Sequence, residues 1–208
     1  MSSKNRDVVI LDCGHGNLAS VANAVSALGE APRITADPDD VTRADTLIFP
    51  GQGAAPPAME TLRASGLDQA FIATVRAGVP TLGICLGMQL ALDSSLEGPV
   101  TCMSLVSGRS VRFEPTDRTL KVPQMGWNTV HHDGDPLFDG IENDSYFYFV
   151  HSYYCEPDPS AAIGWTDYGV DYCSALRVGN FWATQFHPER SARLGLRLLS
   201  NFLAFTRC

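Results

Sequence analysis

The 208-residue sequence predicts an α/β protein, with a mainly parallel central sheet flanked by helices and a β-rich, partly antiparallel portion in its C-terminal half. Three observations lead there. Up to Gly98, apolar runs of strand length alternate with helical periodicity, the pattern of parallel strands joined by crossover helices. A β-leaning run at 79–84 passes into a helix-favouring run at 86–92 with only Cys85 between them. Beyond Gly98, short strand-like pieces separated by turn residues predominate.

In chain order, residues 7–12 read as a buried strand and 17–28 as a helix with Leu18, Val21, Val25 and Leu28 on one face. Two short strands follow at 31–35 and 46–49. Residues 50–57 carry too much Gly and Pro for regular structure and are expected to be a loop. A helix is expected at 67–77, ahead of the strand that ends at Cys85. The second half should hold strands at 110–113, 127–130, 146–154, 173–178 and 181–186, with Gly179-Asn180 as a hairpin turn. A last helix starts at Ser191, its core stripe formed by Leu194, Leu198, Phe202 and Phe205. No repeat or linker interrupts the chain, so one domain spanning 1–208 is expected.

Composition narrows the class. Apolar residues make up 45% and charged residues 18%, as in globular proteins, and no run approaches the roughly 20 apolar residues of a membrane span. The first seven residues lack the apolar core of a signal peptide, so a cytoplasmic location is expected. A net charge of −8 disfavours nucleic acid as a partner. The six cysteines, at 13, 85, 102, 155, 173 and 208, form no Cys-x-x-Cys pair or regular framework, and reduced thiols fit best. His131-His132-Asp133-Gly134-Asp135 reads as a solvated loop, because adjacent residues seldom converge on one ion, and no metal is expected.

Cys85 is the pivotal residue. Gly83 and Gly87 flank it, giving a thiol version of the nucleophile elbow, in which a strained residue sits on a sharp strand-to-helix turn. Exposed N–H groups at a helix start favour thiolate over thiol. A cysteine is more often a small buried hydrophobe, and the catalytic reading requires a base elsewhere. His187-Pro188-Glu189 supplies one: residues two apart on an extended segment face the same side, so Glu189 can orient the imidazole and leave its other nitrogen for the sulfur. Taken alone, that tripeptide reads more readily as a solvated turn at a strand end, and it is the elbow at Cys85 that favours catalysis.

Gly83-Ile84-Cys85-Leu86-Gly87-Met88-Gln89 together with Gln185-Phe186-His187-Pro188-Glu189 resembles the class I, triad-type glutamine amidotransferases. Leu120 to Asn128, Tyr148 to Tyr153 and Thr166 to Gly169 narrow the resemblance to the glutaminase subunits of imidazole glycerol phosphate synthases. The resemblance implies a flavodoxin-like fold and a Cys85–His187–Glu189 triad that hydrolyses L-glutamine through a thioester, without a cofactor. It also implies oxyanion donors at Leu86 and at the peptide between Gly51 and Gln52, and a glutamine pocket of Gly53, Gln89, His151, Ser152 and Tyr153. Ammonia would pass to a (β/α)₈-barrel cyclase partner through an interface including Asn17, Trp127, Tyr148 and Arg190. Gln52, Gln124 and Arg190 stand where the family often has valine, histidine and lysine.

Three other readings remain open from the residues. Gly14-His15-Gly16-Asn17-Leu18-Ala19 satisfies a dinucleotide-binding pattern, with Asp37 as a ribose ligand. The same scaffold could also serve as a non-catalytic subunit, or feed ammonia to a different synthase.

Overall fold

The first strand is buried on both faces, and its side chains alternate between two cores. In the computed structural model, which describes residues 6–14 and 16–205, Val8 and Ile10 of β1 (Val8–Leu11) join one apolar cluster, while Val9 and Leu11 join the other. The first five residues, His15 and Cys208 lie outside the described residues. The expected helix forms as α1 (Leu18–Ala27), with the Asn17 side chain accepting from Ser20 N as its cap.

β2 (Arg33–Thr35), α2 (Pro38–Thr42) and β3 (Thr46–Gly51) follow. The loop expected at 50–57 is much shorter, because β3 runs to Gly51 and α3 (Ala55–Ser65) begins at Ala55. Pro56 and Pro57 lie in the first turn of α3, where the N–H that proline lacks would have no helical partner. α4 (Leu67–Arg76) and β4 (Thr81–Cys85) match expectation, whereas α5 (Leu86–Gln89) is a single turn rather than a helix to 92.

The C-terminal half adds β5 (Ser94–Ser95), β6 (Val100–Thr101), β7 (Gly108–Arg112), β8 (Gln124–His132), β9 (Ser145–His151) and β10 (Tyr153–Pro157). β11 (Ala162–Asp167), β12 (Asp171–Val178), β13 (Phe181–Thr184) and α6 (Ala192–Ala204) complete it. The strand expected at 146–154 is two strands parted at Ser152. β9 pairs with β8, while β10 pairs with β7 and β12. His131 and His132 end β8 rather than sitting in a solvated loop, and His132 is buried, its ring stacked on Phe138 at 4.5 Å.

Strand order is β2-β1-β3-β4-β13-β12-β10-β7-β5-β6, with β11, β8 and β9 branching from β12. The pairs from β2 through to β13 are parallel, and antiparallel pairing begins at the β13–β12 hairpin, which turns at Gly179-Asn180. β13 therefore lies beside β4, which places the chain after Thr184 next to the chain after Ile84. α6 covers one face through Leu198, Leu199, Phe202 and Leu203, with Leu194 and Phe205 partly buried at its ends. Among the described residues, no helix is long and apolar enough to cross a membrane.

Candidate active site

Cys85 sits at the junction of β4 and α5 with φ 54° and ψ −103°, a conformation that L-residues adopt rarely and at an energetic cost. Three glycines allow it. A Cβ on Gly83 would meet the Gly87 backbone at 3.0 Å, one on Gly87 would meet the Phe49 carbonyl oxygen at 2.1 Å, and one on Gly51 would meet the Leu86 Cβ at 2.9 Å. Gly51 lies opposite Cys85 in the β3–β4 register. Leu86 opens α5, so its N–H has no partner within that helix.

His187 and Glu189 stand on the short turn that follows β13. Pro188–Arg190 forms one turn of 3₁₀ helix, so the pair is held by a turn rather than the extended segment expected from the sequence. The hydrogen bond nevertheless forms: His187 Nδ1 and Glu189 Oε1 lie 2.8 Å apart, and both side chains are only 2% exposed. The backbone of His187 is clamped at both ends, its N–H donating to Tyr148 O at 2.9 Å and its carbonyl accepting from Ser191 Oγ at 2.7 Å. Burial opposes charge on the imidazole. The Cys85 sulfur, its strongest charge partner, and Glu189 outweigh that penalty and push the pKa up to about 10. His187 thus readily holds a proton beside the sulfur.

A cavity of about 400 Å³ opens over the elbow. Gln52, Gly53, Cys85, Leu86, Gln89, His151, Ser152 and Tyr153, every residue expected for the glutamine pocket among them, lie on its wall. The Tyr153 carbonyl organises one side, accepting from Gln89 Nε2 at 2.9 Å and lying 2.8 Å from His151 Nδ1. Burial lowers the His151 pKa to about 4, so the ring is neutral at pH 7 and Nδ1 carries the hydrogen that this carbonyl accepts.

Sequence reasoning misses Glu97, which is on the same wall, because a lone carboxylate outside any motif carries no signal. Burial raises its pKa, and the Ala55 N–H that it accepts at 2.8 Å works against that rise. Of the interface candidates, Trp127, Tyr148 and Arg190 come together: the Trp127 and Tyr148 rings are 6.1 Å apart, and the Arg190 guanidinium sits 4.4 Å from the Tyr148 centroid. Asn17 is exposed but serves α1 as its cap. Asp37, the ribose ligand of the dinucleotide reading, caps α2 through Asp39 N. His15 of that motif lies outside the described residues.

The sequence matches the glutamine amidotransferase class-I family over residues 9–205. The chain belongs to that family. Relatives of this amidotransferase include proteins named imidazole glycerol phosphate synthase subunit HisH. The one from Dehalococcoides mccartyi (strain CBDB1) is 46% identical over 198 residues, covering 94% of this chain and 95% of the relative. The one from Methanothermobacter thermautotrophicus is 44% identical over 202 residues, covering 96% and 99%. Among solved structures, one described as a glutamine amidotransferase superposes with a TM-score of 0.75 at 17% identity, covering 96% of this chain and 99% of its own. A glutamine amidotransferase from Thermotoga maritima gives 0.67 at 14%, covering 99% and 85%. At such identities these two structures speak for the class-I amidotransferase fold alone.

Proposed function

We propose that this chain is the glutaminase subunit of an imidazole glycerol phosphate synthase in histidine biosynthesis, hydrolysing glutamine to glutamate and ammonia with Cys85, His187 and Glu189. The observation that carries the residue assignment is the buried His187–Glu189 pair held beside a strained cysteine at the floor of a cavity. The Cys85 thiolate attacks the side-chain amide of glutamine. The resulting oxyanion is received by the Leu86 N–H and by the N–H of the peptide joining Gly51 to Gln52. His187 gives its proton to the departing nitrogen, ammonia leaves, and the thioester remains on Cys85. His187 then takes a proton from water, whose oxygen attacks the thioester and releases glutamate. Glu189 keeps the imidazole in one tautomer throughout.

Around the reacting centre, Gly53, Gln89, His151, Ser152 and Tyr153 hold the amino-acid end of glutamine, and Glu97 is the carboxylate on that wall suited to its ammonium group. The chain would work in the cytoplasm, as one domain, docked to a (β/α)₈-barrel cyclase subunit that consumes the ammonia. The half-exposed Trp127, with Tyr148 and Arg190, offers the aromatic and cationic side chains typical of an interface centre.

Glutamate release by the native chain and by Cys85→Ala, each alone and with the cyclase and its nucleotide ligand, tests this reading. Strong release is expected only from the native liganded complex. Release that survives Cys85→Ala would remove the thiol from the mechanism, and silence from a verified liganded complex would sink the assignment to this synthase.

A further inference from the structure

We infer that Gln185 is a positioning residue for the nucleophile, its side-chain amide donating a hydrogen bond to the Cys85 sulfur and holding that sulfur in place under the cavity. The inference rests on Cys85 being the nucleophile, as proposed above. Gln185 Nε2 lies 3.6 Å from Cys85 Sγ, an ordinary separation for an N–H donor on the large sulfur atom. Gln185 directly follows β13 and is fully buried, so its amide has no water to fall back on.

The orientation of that amide is fixed by a chain of donors and acceptors. The Tyr153 carbonyl can only accept, so Gln89 must present its Nε2 there. The second N–H of the same Gln89 amide reaches Gln185 Oε1 at 3.1 Å. Cys155 Sγ lies 3.9 Å from that same oxygen. Burial pushes the Cys155 pKa well above its usual value, so this thiol keeps its hydrogen and donates it. Gln185 Oε1 therefore faces two donors, and its Nε2 is left for Cys85. The inverted amide would set an oxygen against the sulfur and one NH₂ against another.

Two consequences follow for the reaction. A fixed N–H on sulfur favours the anionic nucleophile and restricts its swing on the strained turn. It also links the nucleophile to Gln89 on the cavity wall, so a ligand that moves Gln89 acts on the sulfur through one intervening amide.

Two variants separate donation from packing. Gln185→Glu keeps an oxygen for Gln89 and Cys155 and, once ionised, offers the sulfur no donor; Gln185→Met keeps the side-chain length and removes donor and acceptor together. The measurement is the rate of Cys85 alkylation by iodoacetamide across pH 6–10 in the full chain, with the modified site confirmed by peptide mapping. It is followed by kcat and KM for glutamine in the cyclase complex. We expect both variants to alkylate about tenfold more slowly at pH 7 and to recover at higher pH, with kcat down by a similar factor and KM little changed. A Gln185→Met profile that overlays the native one would overturn the inference and leave Gln185 a packing residue. Alkylation needs no glutaminase activity, so a verified liganded native complex that releases no glutamate, alongside variants that show the alkylation shift, would refute the function and leave the role of Gln185 standing.

Discussion

Gly87 and Phe49 meet backbone to backbone: a Cβ on Gly87 would fall 2.1 Å from the Phe49 carbonyl oxygen. This contact seats α5 against β3 and thereby sets where Cys85 and the Leu86 N–H stand. Gly87→Ala must push the two elements apart. The expected cost is about 1–3 kcal/mol of stability, with glutamate release falling by more than about a hundredfold. Thermal unfolding and a glutamate assay on the same preparation check both; a variant of native activity would show that the close approach is dispensable.

Glu97→Gln keeps an acceptor for the Ala55 N–H while discarding the charge on the cavity wall. KM for glutamine should rise roughly tenfold or more, with kcat within a few-fold of native. Because burial raises the Glu97 pKa, native KM should also climb as pH falls and the carboxylate takes up a proton, a dependence absent from the Glu97→Gln variant. Steady-state kinetics at several pH values would reveal a role elsewhere if KM stayed flat.

His151 and His187 are shifted in opposite directions. Burial lowers His151 from 6.5 to about 4, so the unfolded chain takes up its proton first, and this contribution to stability, complete above pH 6.5, is lost as pH falls toward 4. For His187, Cys85 and Glu189 overcome burial to reach about 10, so its contribution is complete below pH 6.5 and lost as pH rises through 10. The two together place a stability maximum near pH 6.5. Denaturant titrations should trace that dome, with His151→Gln flattening the acid limb; a curve still rising at about pH 8 would contradict the His187 assignment.

Trp127→Ala should weaken the complex with the proposed cyclase partner by about 2 kcal/mol, roughly 30-fold in Kd, while leaving alkylation of Cys85 in the isolated chain unchanged. Calorimetric titration of one subunit into the other measures it. Native affinity in the variant would move the interface away from the Trp127–Tyr148–Arg190 cluster.

The central site is legible from local patterns. The elbow at Cys85 and the proximity of His187 to Glu189 are written in a few consecutive residues, and burial of β1, β3 and β4 on both faces follows directly from their apolar runs. What escapes depends on partners distant in sequence. Pro56 and Pro57 look like loop residues until the helix start that tolerates them is known. β11 goes unseen because Ala162–Asp167 includes Gly164 and departs from regular pairing there. The break at Ser152 shows only when β9 and β10 are found to serve different neighbours. Glu97 acquires meaning only from the Ala55 N–H and the cavity it borders.

The adjacency of β4 and β13 has a consequence for biosynthesis. Roughly a hundred residues separate Cys85 from the segment that carries His187, so the pairing raises the contact order of the chain and defers completion of the site. On the ribosome, the cysteine emerges several seconds before His187 is synthesised, at about 5–20 residues per second. Until β13 slots in beside β4, the emerging polypeptide holds the Cys85 thiol with no imidazole beside it. On the proposed mechanism, unfinished copies release no ammonia.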